Sequence, residues 1–191
     1  MDEIQSLVQE LTCGDDNRAE TAAQSLAAFG AQAIPFLQEL LRADQSETRW
    51  WAVRGLAEVH DTAVPPLLIR ALRDPEIAVR ECAALGLRKQ PDPAAIPDLI
   101  ERLQGEEGEL GRLAVDALTS IGAEAVQPLI EVLKNGSQKA RLAAIQALAR
   151  IADTRSIPAL FDALDEDSAL MEYWATEGLE KMGVGMSFFK P

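Results

Sequence analysis

The sequence contains few cysteine, histidine and basic residues. Its two cysteines, Cys13 and Cys82, are too few for a disulfide framework, and this usage is typical of a reducing compartment. Its single histidine, His60, excludes any mechanism that needs two imidazoles. Lys and Arg number 18 against 31 Asp and Glu, which gives a net charge of −13. This charge argues against binding to nucleic acid or to anionic lipid, because both require clustered basic side chains.

Long apolar runs and a basic leader are also missing. No uninterrupted apolar run approaches the roughly 20 residues of a membrane helix. The N-terminal residues Met1 to Ile4 are acidic, whereas signal peptides begin with a basic segment. We therefore expect a cytoplasmic protein without membrane insertion. The 191 residues are nevertheless 48% hydrophobic, which is enough for a folded core.

Internal repetition is the strongest positive signal. A leucine recurs six times at intervals of 30 or 31 residues, always with an alanine four positions before it and a small residue directly before it. These positions share one face of an α-helix, so the small side chains predict close contact with a neighbouring helix. The six pairs are Ala22 with Leu26, Ala52 with Leu56, Ala83 with Leu87, Ala114 with Leu118, Ala144 with Leu148, and Ala175 with Leu179.

A column of prolines marks a second helix in the repeat. Each proline follows a repeat leucine by 9 or 10 residues and opens a short apolar-rich run; they are Pro35, Pro66, Pro97, Pro128 and Pro158. Proline fits the first turn of a helix. Each repeat is therefore predicted to be a longer helix A, a link and a shorter helix B. Because one pair cannot bury its apolar face alone, the repeats must stack. We predict an all-α fold, a right-handed α-solenoid of about six two-helix repeats, as a single domain over residues 1–191.

The two ends of the chain depart from the repeat. Residues 1–13 are predicted to form a lone N-terminal cap helix, and the repeats occupy residues 14–183. Helix A of the sixth repeat, at about residues 169–182, is not followed by a helix B, so this repeat is incomplete. Residues 184–191 form an apolar tail that includes Phe188 and Phe189. The tail is expected either to cover the last repeat or to dock into a partner.

The repeat resembles the short HEAT-like repeats of the phycobilisome-lyase type. The residues that carry the resemblance are Val79-Arg80, Ala83-Ala84, Gly86-Leu87, Ile96-Pro97 and Leu99-Ile100, and the pattern recurs from Arg141 to Leu160. The resemblance implies a non-catalytic scaffold or chaperone in phycobiliprotein or phycobilisome assembly or turnover, and a heterodimer is one arrangement that it suggests. The alternative is a bilin lyase, or a subunit of one, that attaches a tetrapyrrole to a phycobiliprotein cysteine.

The resemblance does not extend to the cluster that some members of the family carry for isomerase chemistry. Some bilin lyase-isomerases carry a Tyr-His-Cys-Trp type of cluster, whereas Glu172-Tyr173-Trp174 in this chain has neither His nor Cys. We therefore expect no catalytic residue, no metal and no cofactor. A bilin would be a ligand only under the alternative, with Arg70 and Arg102 as candidates to hold its propionates. Whether the protein is an enzyme stays open, with non-catalytic binding favoured.

Charged residues on the B helices are the first candidates for partner binding. In solenoids of this kind the B helices line the concave surface, which is the usual binding surface. The position four residues after the proline, or the residue beside it, is charged in every B helix: Glu39, Arg70, Glu101, Glu131 and Asp162. These residues predict a mostly acidic ridge for a protein with a basic or amphipathic surface. A merely solvated face is the alternative.

Aromatic pairs and a recurrent arginine complete the set of candidates. Trp50-Trp51 and Tyr173-Trp174 stand six and five residues before a repeat leucine, where they either contact a partner or pack within the stack. Arg49, Arg80 and Arg141 stand seven residues before it. Arginine forks of this kind are predicted to hold carboxylates or carbonyl groups in the links between neighbouring repeats.

Overall fold

A computed structural model describes residues 2–105 and 108–184. These residues form twelve α-helices and no β-strand. The six A helices are α2 (Asp16–Leu26), α4 (Ser46–Leu56), α6 (Ile77–Lys89), α8 (Gly108–Ile121), α10 (Gln138–Ile151) and α12 (Ala169–Lys181). The others are α1 (Asp2–Leu11) and the B helices α3 (Ile34–Leu40), α5 (Val64–Ala71), α7 (Ile96–Gln104), α9 (Val126–Asn135) and α11 (Ile157–Leu164). The predicted all-α class and the alternation of longer and shorter helices are confirmed.

The chain divides into two compact units, Met1–Ala95 and Ile96–Pro191, and each is described by itself. In the first unit α2 packs on α4 and α4 on α6, while α3 and α5 pack on the A helix that follows each of them. In the second unit α8 packs on α10 and α10 on α12, while α7, α9 and α11 pack on the A helix that follows. Within each unit, the two-helix repeats therefore lie side by side and share their apolar faces.

Prolines start the B helices where the sequence predicts, and polar caps start three of the A helices. The carboxylate of Asp15 accepts hydrogen bonds from the backbone of α2, and the hydroxyls of Ser137 and Ser168 do the same for α10 and α12. Every B helix carries its proline in the first turn. Pro35, Pro97 and Pro158 are the second residue of their helices, and Pro66 and Pro128 are the third.

The repeated alanines and leucines form the core. All six alanines are at most 2% exposed and all six leucines are fully buried. Three residues after each repeat leucine the sequence places an apolar residue, with Gln90 as the exception. Its Nε2 amide donates to the carbonyl oxygens of Leu56 at 3.3 Å and Ala57 at 3.2 Å. Gln90 therefore adds a side-chain donor to carbonyl groups at the end of α4, where the helix itself supplies fewer N–H partners.

Small residues directly before the leucines let adjacent A helices touch. A Cβ atom added to Gly178 would lie 2.9 Å from the Cα of Ala149 in α10 and 2.9 Å from Leu160 Cδ1. A Cβ atom added to Gly86 would lie 3.2 Å from the Cβ of Ala57, the residue that caps the end of α4. No larger residue fits Gly178 unless the helix backbone moves, which confirms the predicted close approach.

One stretch in the described residues, Gly108–Asn135, is long and apolar enough on average to cross a membrane. Charged residues interrupt this stretch, so it does not contain the uninterrupted apolar run that a membrane helix shows in the sequence. Gly122, with φ of 79°, turns the chain between α8 and α9 within this stretch. Over half of its most apolar window, 56%, is buried inside the protein, as is typical of core helices.

Candidate functional site

The five charged residues predicted as a ridge are all exposed on B helices. In the first unit Glu39 lies on α3 and Arg70 on α5, so the two charges are opposite. In the second unit Glu101, Glu131 and Asp162 lie on α7, α9 and α11, and all three are acidic. We call these three residues the acidic B-helix surface. It presents one sign of charge to solvent, and its role in binding stays a prediction.

Contacts with neighbouring side chains determine how much of the charge on these residues is available to a partner. Glu39 pairs with Arg42 at 2.6 Å, and Glu101 pairs with its neighbour Arg102. Glu131 accepts hydrogen bonds only from amides, with its oxygens 3.2 Å from Gln127 Nε2 and 3.5 Å from Asn135 Nδ2. Amide donors carry no charge, so these hydrogen bonds do not offset a negative charge on Glu131.

A groove of about 400 Å³ lies between α7 and α9 beside Glu131. Apolar atoms of Ile100, Pro128 and Val132 line it, and Gln104 and Asn135 add two side-chain amides. Amide groups can donate to and accept from the backbone of an extended peptide. The groove therefore offers apolar contact, backbone recognition and a negative charge in one place. Neither amide is predicted by the charge pattern of the sequence, although each stands seven residues after a repeat proline.

The two aromatic pairs differ in exposure. The rings of Trp50 and Trp51 meet edge to face with centroids 4.7 Å apart, and Trp51 is only 7% exposed. Tyr173 and Trp174 also meet edge to face, with centroids 5.0 Å apart, but Tyr173 is 55% exposed. Trp51 thus packs in the core, whereas Tyr173 presents most of its ring to solvent. A contact with a partner stays a prediction for each pair.

The recurrent arginines hold the links, as predicted. Arg49 donates from Nε and Nη2 to the carboxylate of Asp74, at 2.7 and 2.9 Å, and from Nη1 to the carbonyls of Ala43 and Asp44. It therefore joins its own link to that of the next repeat. Arg80 donates to the carbonyl of Asp74 at 2.7 Å. In the second unit Arg141 donates to the carbonyl of Leu133 and pairs with Glu166.

A second set of ion pairs joins successive A helices. Arg54 of α4 pairs with Glu20 of α2 and with Glu58, and Glu58 also pairs with Lys89 of α6. In the second unit Arg150 of α10 pairs with Asp116 of α8 at 2.6 Å. The sequence analysis did not find these pairs. The signal is a spacing of 34 residues between Glu20 and Arg54 and again between Asp116 and Arg150.

These ion pairs predict acid sensitivity. Burial alone would raise the pKa of the Asp74 carboxyl, but hydrogen bonds from Arg49 and from the Glu76 backbone outweigh it and hold the pKa below its ordinary value. Burial would also raise the pKa of Glu58, but the pairing with Lys89 and Arg54 outweighs burial and lowers this pKa. A lowered folded-state pKa gives stability that is present above the ordinary carboxyl value of about 4 and is lost as the pH falls through the folded value.

We therefore expect the urea midpoint of unfolding to fall as the pH is lowered from about 5 to about 3. The variant Asp74→Asn is expected to be less stable at neutral pH and to lose less on acidification, so that the two curves converge. Urea titrations monitored by circular dichroism at several pH values measure both curves. Parallel curves would contradict the assignment of this acid sensitivity to Asp74.

Other residues that the sequence singled out have simpler roles. Burial raises the pKa of the Cys82 thiol to about 12, so this cysteine is unreactive at neutral pH. His60 Nδ1 lies 3.1 Å from the carbonyl oxygen of Glu58, while Asp61 accepts the backbone N–H of Ala63. Arg70 is exposed, but the Arg102 side chain is only 17% exposed and is paired with Glu101.

Some predictions fall outside the described ranges. Phe188 and Phe189 lie beyond residue 184, so both alternatives for the tail remain predictions. Within residues 2–105 and 108–184, no group of three His, Cys, Asp or Glu side chains is arranged to hold a metal ion.

The chain is similar to two curated proteins of phycobilisome biology. It is 34% identical over 115 residues to a phycobilisome maturation protein of Synechococcus elongatus, which is 60% of this chain and 55% of that protein. It is 37% identical over 106 residues to a phycocyanobilin lyase subunit beta of Pseudanabaena tenuis, which is 55% of this chain and 36% of that protein. The chain thus spans about half or less of the length of these relatives.

Solved structures with the same fold have lower sequence identity. The complex of CpcE and CpcF of phycocyanin lyase from Nostoc matches with a TM-score of 0.56 and 22% identity, covering 94% of this chain and 77% of that one. A designed armadillo repeat protein in complex with the peptide (KR)4 matches with a TM-score of 0.55 and 20% identity, covering 94% and 99%. These likenesses confirm the predicted α-solenoid class.

The family is shown by the repeat itself. A model of HEAT repeats matches residues 4–67, 35–119 and 96–180, which together span most of the chain. The matched ranges contain all six buried alanine–leucine pairs and all five proline-led B helices. The resemblance to repeats of the phycobilisome-lyase type is confirmed by the two curated relatives. The chain belongs to the HEAT-repeat family.

Proposed function

We propose that this chain is a non-catalytic scaffold or chaperone that binds another protein through the acidic B-helix surface of its second unit. The observation that carries the proposal is the exposure of Glu101, Glu131 and Asp162 on three B helices, with Glu131 lining a groove that has apolar walls and two amides. A partner with a basic or amphipathic surface is complementary to this combination. Complementary charge increases the rate of encounter and suppresses unsuitable partners.

The two curated relatives supply the biological setting of the proposal. One is named a phycobilisome maturation protein and the other a phycocyanobilin lyase subunit. We propose that this chain handles phycobiliproteins in the cytoplasm of a photosynthetic cell, during assembly or turnover. The phycocyanin lyase of Nostoc is a complex of two chains, which supports a heterodimer as the working form.

Charge reversal tests the proposed surface. The double variant Glu131→Lys with Asp162→Lys is expected to bind phycobiliprotein subunits about five- to tenfold more weakly at low salt, because the steering field is reversed. Purified phycocyanin subunits titrated by biolayer interferometry provide the measurement. The double variant Glu47→Lys with Glu180→Lys is the matched control, since both are exposed carboxylates on A helices outside the predicted ridge and their reversal changes the net charge equally. Equal affinity of the double variant and the unaltered chain would refute the proposed surface.

The second candidate function is that of a bilin lyase subunit, which the similarity to the lyase subunit of Pseudanabaena favours. Bilin binding gives a direct distinction between the two functions. Phycocyanobilin mixed with the purified chain should show no shift in its visible absorption spectrum if the protein is a scaffold alone. A saturable shift at equimolar protein would favour the lyase role.

A further inference from the structure

An exposed apolar face lies at the starts of α10 and α12 in the second unit, and it shares no residue with the acidic B-helix surface. A groove of about 550 Å³ lies there, and its apolar lining comes from Leu142, Leu170 and Met171. Leu170 is 57% exposed, and Tyr173, three residues further along α12, is 55% exposed. They are the two most exposed large apolar side chains in the described part of the chain. Residues three apart are neighbours on a helix, so the groove and Tyr173 form one surface.

The fold does not require leucine at position 170. Leu170 stands nine residues before its repeat leucine, and that position is exposed in all six repeats. The equivalent residues in the other repeats are Asn17, Glu47, Ala78, Glu109 and Lys139. Five repeats thus place a polar or small residue where the sixth places an exposed leucine. An exposed apolar side chain that packing does not need is typical of a contact site.

The charges around this face favour a basic partner. Arg141 and Glu166 pair with each other and fix one wall of the groove. Lys139 donates to the carbonyl of Gly105. Asp167 lines the groove, and Glu172 follows Met171 on α12. Three carboxylates therefore stand against two cations here, on a chain whose net charge is −13. The same excess of negative charge disfavours a second copy of this chain as the occupant.

The side chains that line the groove also favour a helix over an extended segment as its occupant. An extended peptide needs partners for its backbone groups, and Gln138 is the one side-chain amide in this groove. A helix satisfies its own backbone groups and presents apolar side chains at i, i+3 and i+4, which match the spacing of Leu170 and Tyr173. The groove between α7 and α9, by contrast, has two amides and is suited to the backbone of an extended peptide.

We propose that the face formed by Leu142, Leu170, Met171 and Tyr173 is a second docking surface, and that its occupant is an amphipathic helix of a partner protein with lysine or arginine beside its apolar stripe. This surface goes beyond the proposed function, because it lies on A helices and uses none of the residues of the acidic B-helix surface. A partner that reaches both surfaces would be held at two places on the same unit.

A designed peptide tests the proposal with the full-length protein. The probe is a fluorescein-labelled helix of about 18 residues with leucines at i, i+3, i+4 and i+7 and lysines beside them. One control peptide has the same composition with the leucines spread around the helix, and another replaces lysine by glutamate. Fluorescence anisotropy is expected to show saturable binding of the first peptide alone, and circular dichroism should show that its helicity rises on binding.

The decisive variant is Leu170→Asn, because asparagine occupies the equivalent exposed position at Asn17 and leaves the fold intact. It is expected to weaken binding of the amphipathic peptide about tenfold. The matched control is Leu85→Gln, since Leu85 is an exposed leucine of α6 and glutamine occupies its repeat position at Gln24 and Gln146. This control should bind like the unaltered chain, and unchanged melting temperatures verify that both variants fold.

Three results would overturn the proposal. The first is equal binding of the amphipathic and the scrambled peptides, and the second is equal loss in Leu170→Asn and Leu85→Gln. The third is a concentration-dependent dimer in analytical ultracentrifugation that Leu170→Asn abolishes, since the occupant would then be a second copy. None of these results depends on Glu131 or Asp162, so failure here leaves the proposed function to its own test.

Discussion

Replacing Arg49 by alanine is expected to lower the free energy of unfolding by about 3–5 kcal/mol, the usual cost of breaking a buried ion pair from one side. The Arg49 and Asp74 side chains are only 12% and 11% exposed, and Arg49 donates to both carboxylate oxygens. Its loss leaves the buried Asp74 carboxylate without the two guanidinium hydrogen bonds of Arg49. The carbonyls of Ala43 and Asp44 also lose their donor.

Urea unfolding measures this loss, and two further variants show its origin. Arg42→Ala removes an exposed arginine paired with Glu39, and exposed pairs contribute about 0–1 kcal/mol, so its effect should be small. Arg49→Lys keeps the charge but loses the planar fork, and its stability should lie between those of the other two. If Arg49→Ala and Arg42→Ala cost the same, the Arg49 fork does not stabilise the links.

Replacing Gly178 by alanine is expected to destabilise the protein by about 1–3 kcal/mol, as overpacked cores do. The added Cβ would lie 2.9 Å from the Cα of Ala149, so a helix backbone must move. The same change at Gly111 is the matched control. Among the residues that the structure describes, its Cβ would meet the Arg102 carbonyl at 3.8 Å, which is ordinary contact.

Gly111→Ala should therefore stabilise the protein by about 0.5–1 kcal/mol, because alanine is the better helix former. The two variants make the same chemical change inside an A helix and should shift the free energy of unfolding in opposite directions. Urea titration of both variants in parallel provides the measurement. A gain in stability for Gly178→Ala would show that α10 and α12 do not touch at this glycine.

The elements that the sequence predicts well are those encoded by local spacing. The alanine and the leucine of each repeat lie four residues apart, so they share a helix face whatever the neighbouring helices do. The prolines likewise mark helix starts, because proline acts on its own turn. Because these patterns are local, the sequence alone is enough to place the A and B helices.

Contacts between repeats were harder to predict, because they depend on how far one helix is displaced along the next. The pairs of Arg54 with Glu20 and of Arg150 with Asp116 follow from that displacement, which no local pattern states. The Arg49 fork was predicted, but its carboxylate partner is that of the following link, Asp74, while its own link provides carbonyls. The groove amides Gln104 and Asn135 carry no charge, so the charge pattern of the B helices does not predict them.

The glycine contacts between A helices have a consequence for how such a protein diversifies. Where Gly178 meets Ala149, a larger residue requires a helix backbone to move, so substitutions at such contacts cost stability. Positions such as 170 meet no such barrier, and asparagine, glutamate, alanine, lysine and leucine all occur there in one chain. New specificities can therefore arise at the starts of the A helices while the spacing of the scaffold stays constant.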